Sequence, residues 1–241
     1  MKNNKIFEFI SHDRLKSYQI LCPSNEEKEI IGAYHWNLLI CQNFYPFIQS
    51  IEVTLRNAIH NAVSCKFDTS DWFDVVVREG VSKKMLDQVR KDLKEKGKKN
   101  IRTSDIVASL NFGFWVGLIR LRKFADLSNT SRLWPELIPK VFPYYKREDK
   151  ERQNIAKRFY EAKLIRNRLF HHEPIWKFKE AHTPDECITE LRHKFNDIFK
   201  AIGWLSKDVK NNLRNYGFVE NFRKACSIET LNAYKTCASK Q

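Results

Sequence analysis

Apolar positions recur every three to four residues over most of the chain, the spacing of one helical face, and sustained strand-like alternation is scarce. Ile30, Ile31, Tyr34, Leu38 and Cys41 form one such stripe, opened by Ser24 and Glu27 at capping-box spacing. The stripe continues through Phe47, Ile51, Leu55, Ala58, Ile59 and Ala62, and Pro46 is expected to kink or divide the helix between its halves. Ser82 is expected to start a charged helix with Met85, Val89 and Leu93 on one face, closed by Gly97 and the basic pair Lys98 and Lys99. Trp72 to Val77 is short and β-rich, and fits a strand or a helical turn equally. Thr103 or Ser104 caps a predicted apolar helix from Ile106 to Leu121. A helix from about Asp149 carries Ile155, Phe159, Ala162, Ile165 and Leu169 on one stripe, and Pro174 should end it near Glu173. Thr183, Pro184 and Glu186 signal the start of another, facing inward with Cys187, Ile188, Leu191, Phe195, Ile198 and Ile202. Short helices are expected after Ser206 and Ser227, while Trp134 to Pro143, rich in proline, reads as an irregular crossover and the one candidate linker.

The pattern predicts an all-α fold: a helical bundle with a single core and one domain over residues 1–241, without internal repeats. Seven glycines and seven prolines are too few turn residues for a fold of many short strands. At 42% hydrophobic and 13% aromatic the chain can bury a sizeable core, so its charge decorates a folded body. The cysteines, Cys22, Cys41, Cys65, Cys187, Cys226 and Cys237, form no C-x-x-C pair and no zinc-ligand spacing. No metal or other cofactor is therefore expected, and reduced thiols in the cytoplasm are the better reading. Met1 to Tyr18 holds no apolar core of a secretory leader. The longest apolar stretch, Ile106 to Ile119, is about 14 residues, short of the roughly 20 that cross a bilayer.

A net charge of +14 favours a polyanionic partner. Its basic clusters do not lie opposite an apolar face as a membrane-surface helix requires, so nucleic acid is the expected partner rather than a membrane. The strongest basic run includes Lys94, Lys98, Lys99 and Arg102, candidate RNA contacts if the run is more than a solvated face. Tyr144, Tyr145, Lys146 and Arg147 place aromatics beside cations in a way that suits stacking on unpaired bases.

The densest polar cluster is Arg166, Asn167, Arg168, His171, His172 and Glu173. On a helical wheel with Ile155 at the origin, Arg166 falls about 20° away, inside the apolar stripe, and His171 near 160°, on the opposite side. A guanidinium facing a buried surface must be paired, with Glu52 or Glu173 the obvious partner. The two side chains cannot face one point on an intact helix. Either the helix loosens before Pro174, or a second copy of the chain completes the site.

Arg166-Asn167-Arg168-Leu169-Phe170-His171 resembles the R-N-x-x-x-H signature of HEPN ribonucleases, and His171-His172-Glu173-Pro174 resembles the Abi-like (AbiD/AbiF) abortive-infection proteins of bacteria. Phe44-Tyr45-Pro46 through Ile51-Glu52-Val53-Thr54-Leu55-Arg56-Asn57-Ala58 resembles that family's first helical block, and Ser109-Leu110-Asn111-Phe112-Gly113-Phe114-Trp115 its central apolar block. The resemblance spans roughly residues 30 to 205. Segments 1–22 and 207–241 match nothing in it and are expected as peripheral extensions. It implies a HEPN-like bundle with additional helices that dimerises so that two motif helices meet. It also implies a metal-independent endoribonuclease or RNA-bound toxin in phage defence, in some members held silent by a small noncoding RNA. Arg166, Asn167 and His171 carry over directly, and Glu52, Arg56 and Asn57 carry over in position.

The residue types fit that chemistry. RNA supplies its own nucleophile, the 2′-hydroxyl; a neutral imidazole can take its proton and a fixed guanidinium can stabilise the phosphorane. His171 is expected as base, Arg166 as the phosphorane clamp, His172 as acid for the leaving 5′-oxygen and Asn167 as the residue orienting His171, with Arg168 supporting. Blander readings stand beside these: Arg166 as a structural arginine clamped by Glu52, His172 as only a solvated neighbour of Arg168 at i+4, and Glu52, Arg56 and His60 as a plain helix-stabilising series with Glu52 and Arg56 paired at i,i+4. The competing function is a non-catalytic RNA-binding protein in a stable ribonucleoprotein with a small noncoding RNA. A DNA-binding regulator is weaker, because no recognition-helix arrangement is present.

Overall fold

The computed structural model describes residues 6–146 and 151–237. The fold is an all-helical bundle, with no strand among the described residues. In chain order the helices are α1 (Ile6–Ile10), α2 (His12–Lys16), α3 (Glu27–Phe67), α4 (Phe73–Val76), α5 (Gly80–Glu95), α6 (Thr103–Ser109) and α7 (Phe112–Arg120). There follow α8 (Ile138–Val141), α9 (Glu151–Phe170), α10 (Pro184–Leu205), α11 (Lys207–Asn215), α12 (Phe218–Ala225) and α13 (Ile228–Cys237). The chain divides into two compact units: residues 1–48, 165–197 and 211–241 in the first, and residues 49–164 and 198–210 in the second.

The first unit is built around aromatic rings. Phe195 of α10 stacks on Phe222 of α12 with centroids 4.0 Å apart, and Phe44 of α3 meets Phe222 edge-on at 5.3 Å. Trp36, fully buried, donates its indole N–H to the Ala225 carbonyl at 2.9 Å, which satisfies the one polar atom such a ring brings into a core. Both end segments, expected as peripheral extensions, contribute described residues to this core. Leu15, Tyr18, Leu21 and Cys22 are buried near one terminus, and Leu213, Val219, Phe222, Cys226 and Leu231 near the other. Gly32 shows how closely α13 approaches α3: a Cβ there would lie 2.7 Å from the Lys235 Cα, a backbone contact that cannot give way. Lys235 completes the seam by donating to the Leu21 carbonyl at 2.9 Å and pairing with Glu29 at 3.6 Å.

The second unit buries Trp72, Phe73, Phe114, Trp115 and Trp134. Trp72 stacks on Phe73 at 4.1 Å, and the ambiguous stretch around them is a helical turn, α4. The apolar helix expected over Ile106–Leu121 is instead two helices. Leu110 is extended, and Asn111 caps α7 by accepting from the Phe114 N–H at 3.0 Å; a short polar side chain that captures a free backbone N–H favours a new start over continuation. The proline-rich segment is not a linker. Trp134 donates to the Leu118 carbonyl at 2.7 Å, Ile138 and Val141 form the turn α8 in the core, and Leu137 and Phe142 are buried beside them.

Other expectations need correction. Pro46 does not divide α3, which runs without interruption from Glu27 to Phe67. The loss of one N–H is outweighed by burial of Phe44, Phe47 and Ile48 on either side of it, and Asn43 braces the preceding turn by donating to the Leu39 carbonyl at 2.8 Å. Ser24 forms no box with Glu27: its hydroxyl donates to Glu29 at 2.8 Å and accepts from the Glu26 N–H at 3.2 Å. The charged helix starts at Gly80, so Ser82 lies buried within its first turn, but Gly97 ends it in the left-handed conformation as expected. The Thr183–Glu186 box forms as read, with Glu186 accepting the Thr183 N–H at 3.1 Å and Thr183 accepting the Glu186 N–H at 3.3 Å. All six cysteines carry free thiols; burial pushes the thiol pKa of Cys22 and Cys187 up to about 11 and that of Cys226 to about 12. No helix among the described residues is long and apolar enough to cross a membrane.

Candidate functional site

The motif segment is shaped by the way α9 ends. The helix stops at Phe170, three residues earlier than expected, and closes with a Schellman turn: the Glu173 N–H donates to the Arg168 carbonyl at 2.8 Å and the His172 N–H to the Leu169 carbonyl at 3.2 Å. The turn needs one residue with positive φ, a role usually taken by glycine; His172 takes it here, at φ 58°. His171 and His172 therefore lie on the turn rather than on the helix. Of the two alternatives left open by the wheel, the helix does loosen before Pro174. The start expected near Asp149 lies outside the described residues.

Tethers fix this turn from several sides. Arg14 of α2 donates Nη1 to the His172 carbonyl at 2.5 Å, a contact 158 residues away in sequence. Arg168 donates Nη1 to the Lys177 carbonyl at 2.5 Å and lies over the Phe178 ring at 5.5 Å, closing the loop that follows. The Ile175 N–H donates to the buried Asn37 side chain at 3.3 Å, and Trp176 is sunk in the core edge-on to Tyr18 at 5.3 Å. The backbone is pinned at both ends while the His171 and His172 imidazoles are exposed, with no hydrogen bond or ion pair among the described residues. Asn167 reaches His171 through the main chain: the His171 N–H donates to the Asn167 carbonyl at 2.9 Å. Arg166 is half-buried rather than enclosed, with its guanidinium 4.3 Å from the centre of the Phe170 ring one turn along. The first unit thus gathers Arg166, Asn167, Arg168, His171 and His172, and adds Arg14, which no local sequence signal marks.

Glu52, Arg56 and Asn57 lie on α3 within the second unit. Arg56 makes no ion pair among the described residues, so the expected i,i+4 pair with Glu52 does not form; its Nη1 donates to the Ala108 carbonyl at 3.4 Å and its Nε is buried without a partner among those residues. Arg56, Asn57 and His60 line a cleft of about 610 Å³ together with Arg102, Thr103 and Ser104 at the start of α6. His60 accepts the Trp72 indole N–H on Nδ1 at 3.1 Å, and burial lowers its pKa, so it is held neutral with its proton on Nε2. The sequence marks His60 only by its i+4 spacing from Arg56, and gives no sign that Arg102 returns to the same cleft.

Of the basic run, Lys94, Lys98, Lys99 and Arg102 are all exposed. Lys98 is compensated by Asp105, whose carboxyl it holds below the usual range with help from the Arg102 N–H at 3.1 Å. Tyr145 packs against Trp204 at 4.8 Å and Tyr144 against Lys207 at 4.6 Å, and Arg147 lies outside the described residues. No family model, curated protein or solved structure matches the chain.

Proposed function

We propose that the chain is an endoribonuclease of the Abi-like HEPN kind, acting in bacterial phage defence through the segment Arg166–His172. The reading rests chiefly on one observation: the R-N-x-x-x-H signature falls at a helix end whose backbone is clamped while both its imidazoles remain uncommitted. A buried structural histidine would be hydrogen-bonded, since a buried polar group left unpaired is costly. His171 and His172 are instead exposed on a tethered turn, a poor arrangement for stability and a good one for proton transfer at a polymer.

In this reading His171 takes the proton of a ribose 2′-hydroxyl, whose oxygen attacks the adjacent phosphorus. Arg166 stabilises the negative charge that builds on the phosphorane. The bond from phosphorus to the 5′-oxygen breaks, His172 returns a proton to that oxygen, and the products end in a 2′,3′-cyclic phosphate and a 5′-hydroxyl. Lys94, Lys99 and Arg102 contribute charge for holding the strand. The expected result for purified protein incubated with RNA in excess chelator is cleavage with cyclic phosphate at the new ends. RNA that is retained but left uncut would leave only the binding function.

The same reading includes a homodimer that brings two motif turns together. What supports it is an exposed apolar patch on the first unit: Tyr45 of α3 is 43% exposed and lies 6.1 Å from the equally exposed Phe170 at the end of α9, with Leu38 two turns earlier on the same face of α3. The substitution Tyr45→Glu is expected to convert a dimer into a monomer in light scattering and to remove cleavage with it. A wild-type chain that is monomeric at micromolar concentration and still cuts would refute the dimer.

A further inference from the structure

The cleft on the second unit lies outside the segment Arg166–His172, and of the strand-holding cations it takes only Arg102. Its walls carry two guanidiniums, Arg56 and Arg102; no carboxylate lines it, and the one ion pair either guanidinium makes among the described residues is that of Arg102 with Asp105 at 4.0 Å. Arg56 spends Nη1 on the Ala108 carbonyl and has no counter-charge among the described residues, although charged groups withdrawn from water are ordinarily paired. His60, fixed by Trp72 in the tautomer that carries hydrogen on Nε2, adds a neutral donor rather than a base. Thr103 and Ser104 bring hydroxyls, and Val107 with Ala108 an apolar ledge.

We propose that this cleft is a binding site for the phosphate of a nucleotide-sized ligand. A guanidinium fork matches two phosphate oxygens in geometry and charge, and Arg56, held by Ala108, is already oriented before the ligand arrives. The volume of about 610 Å³ is that of a small-molecule site and exceeds what a bare inorganic anion fills. The apolar ledge and the Asn57 amide suit the sugar and base that such a phosphate carries. The phosphate belongs either to a free nucleotide, as a terminal monoester, or to an RNA strand, as an internal diester. The site stands whether or not Arg166–His172 cuts RNA.

Calorimetry on the full chain distinguishes these cases. The probes are adenosine 5′-monophosphate, adenosine, inorganic phosphate and a 2′-O-methylated ApA dinucleotide, which has one internal diester and cannot be cut through its 2′-oxygen. Binding of the monophosphate is expected at least about tenfold tighter than that of adenosine, the effect of one or two charged hydrogen bonds. Arg102→Gln and Arg56→Gln are each expected to weaken it by about tenfold. Arg102 is largely exposed, so its variant folds; Arg56→Lys, which keeps the charge and loses the fork, serves if Arg56→Gln does not. Preference for the monophosphate identifies a free nucleotide as ligand, and comparable or tighter binding of the dinucleotide identifies a strand. The proposal is overturned if neither phosphate ester binds better than adenosine, or if both arginine variants bind the monophosphate as the wild type does.

Discussion

His171→Ala is expected to lower RNA cleavage by about 10²–10⁴-fold, the usual loss when a general base is removed, and to leave the thermal transition where it was. The two halves of this expectation come from the same geometry. The imidazole is exposed and makes no bond among the described residues, so nothing in the fold rests on it; such substitutions usually change stability by less than about 0.5 kcal/mol. Arg168→Ala provides the contrast. It removes the donor to the Lys177 carbonyl and the contact with Phe178, so it frees the loop behind the turn and should reduce cleavage and local protection together. Initial rates with hydrogen exchange over residues 171–179 separate the two variants. A His171→Ala protein that melts early would make that side chain structural.

Phe222→Ala is expected to destabilise the protein by about 3–5 kcal/mol, and for a chain of this size to lower the melting temperature by about 6–20 °C. Phe222 is fully buried in α12, stacked on Phe195 at 4.0 Å and met edge-on by Phe44 at 5.3 Å. Truncation to alanine loses the transfer energy of the ring and leaves a cavity lined by rings that other contacts hold in place. A calorimetric loss below about 1 kcal/mol would return the C-terminal segment to the periphery of the fold.

How legible each part was depends on how local its cause is. Stripes such as Ile30 to Cys41 and Cys187 to Ile202 follow from a periodicity that burial enforces, and the box at Thr183–Glu186 is local hydrogen bonding within four residues. The division at Leu110–Asn111 was hidden because an apolar run looks the same whether one helix or two fills a core, and only the capture of the Phe114 N–H by Asn111 decides it. Of the two outcomes expected at Pro46, a kink or a division, the division does not occur: packing of Phe44 and Phe47 outweighs a single missing N–H. Among the site residues, Arg166, Asn167 and His171 were legible as a string, and the turn that exposes His171 was anticipated only as one of two ways out of the wheel geometry. Arg14 and Arg102 come to their places from far along the chain, and no local pattern records that.

The proposed cleavage of RNA by Arg166–His172 through 2′-hydroxyl attack can be read from one oligonucleotide. A DNA strand containing a single ribonucleotide is incubated in chelator with wild-type protein and, side by side, with His171→Ala. The expected result is one cut by the wild type, immediately 3′ of the ribonucleotide and leaving a 2′,3′-cyclic phosphate, and none above background by the variant. Equal cutting by both proteins, or cutting by the wild type of a strand with no ribonucleotide, would contradict it.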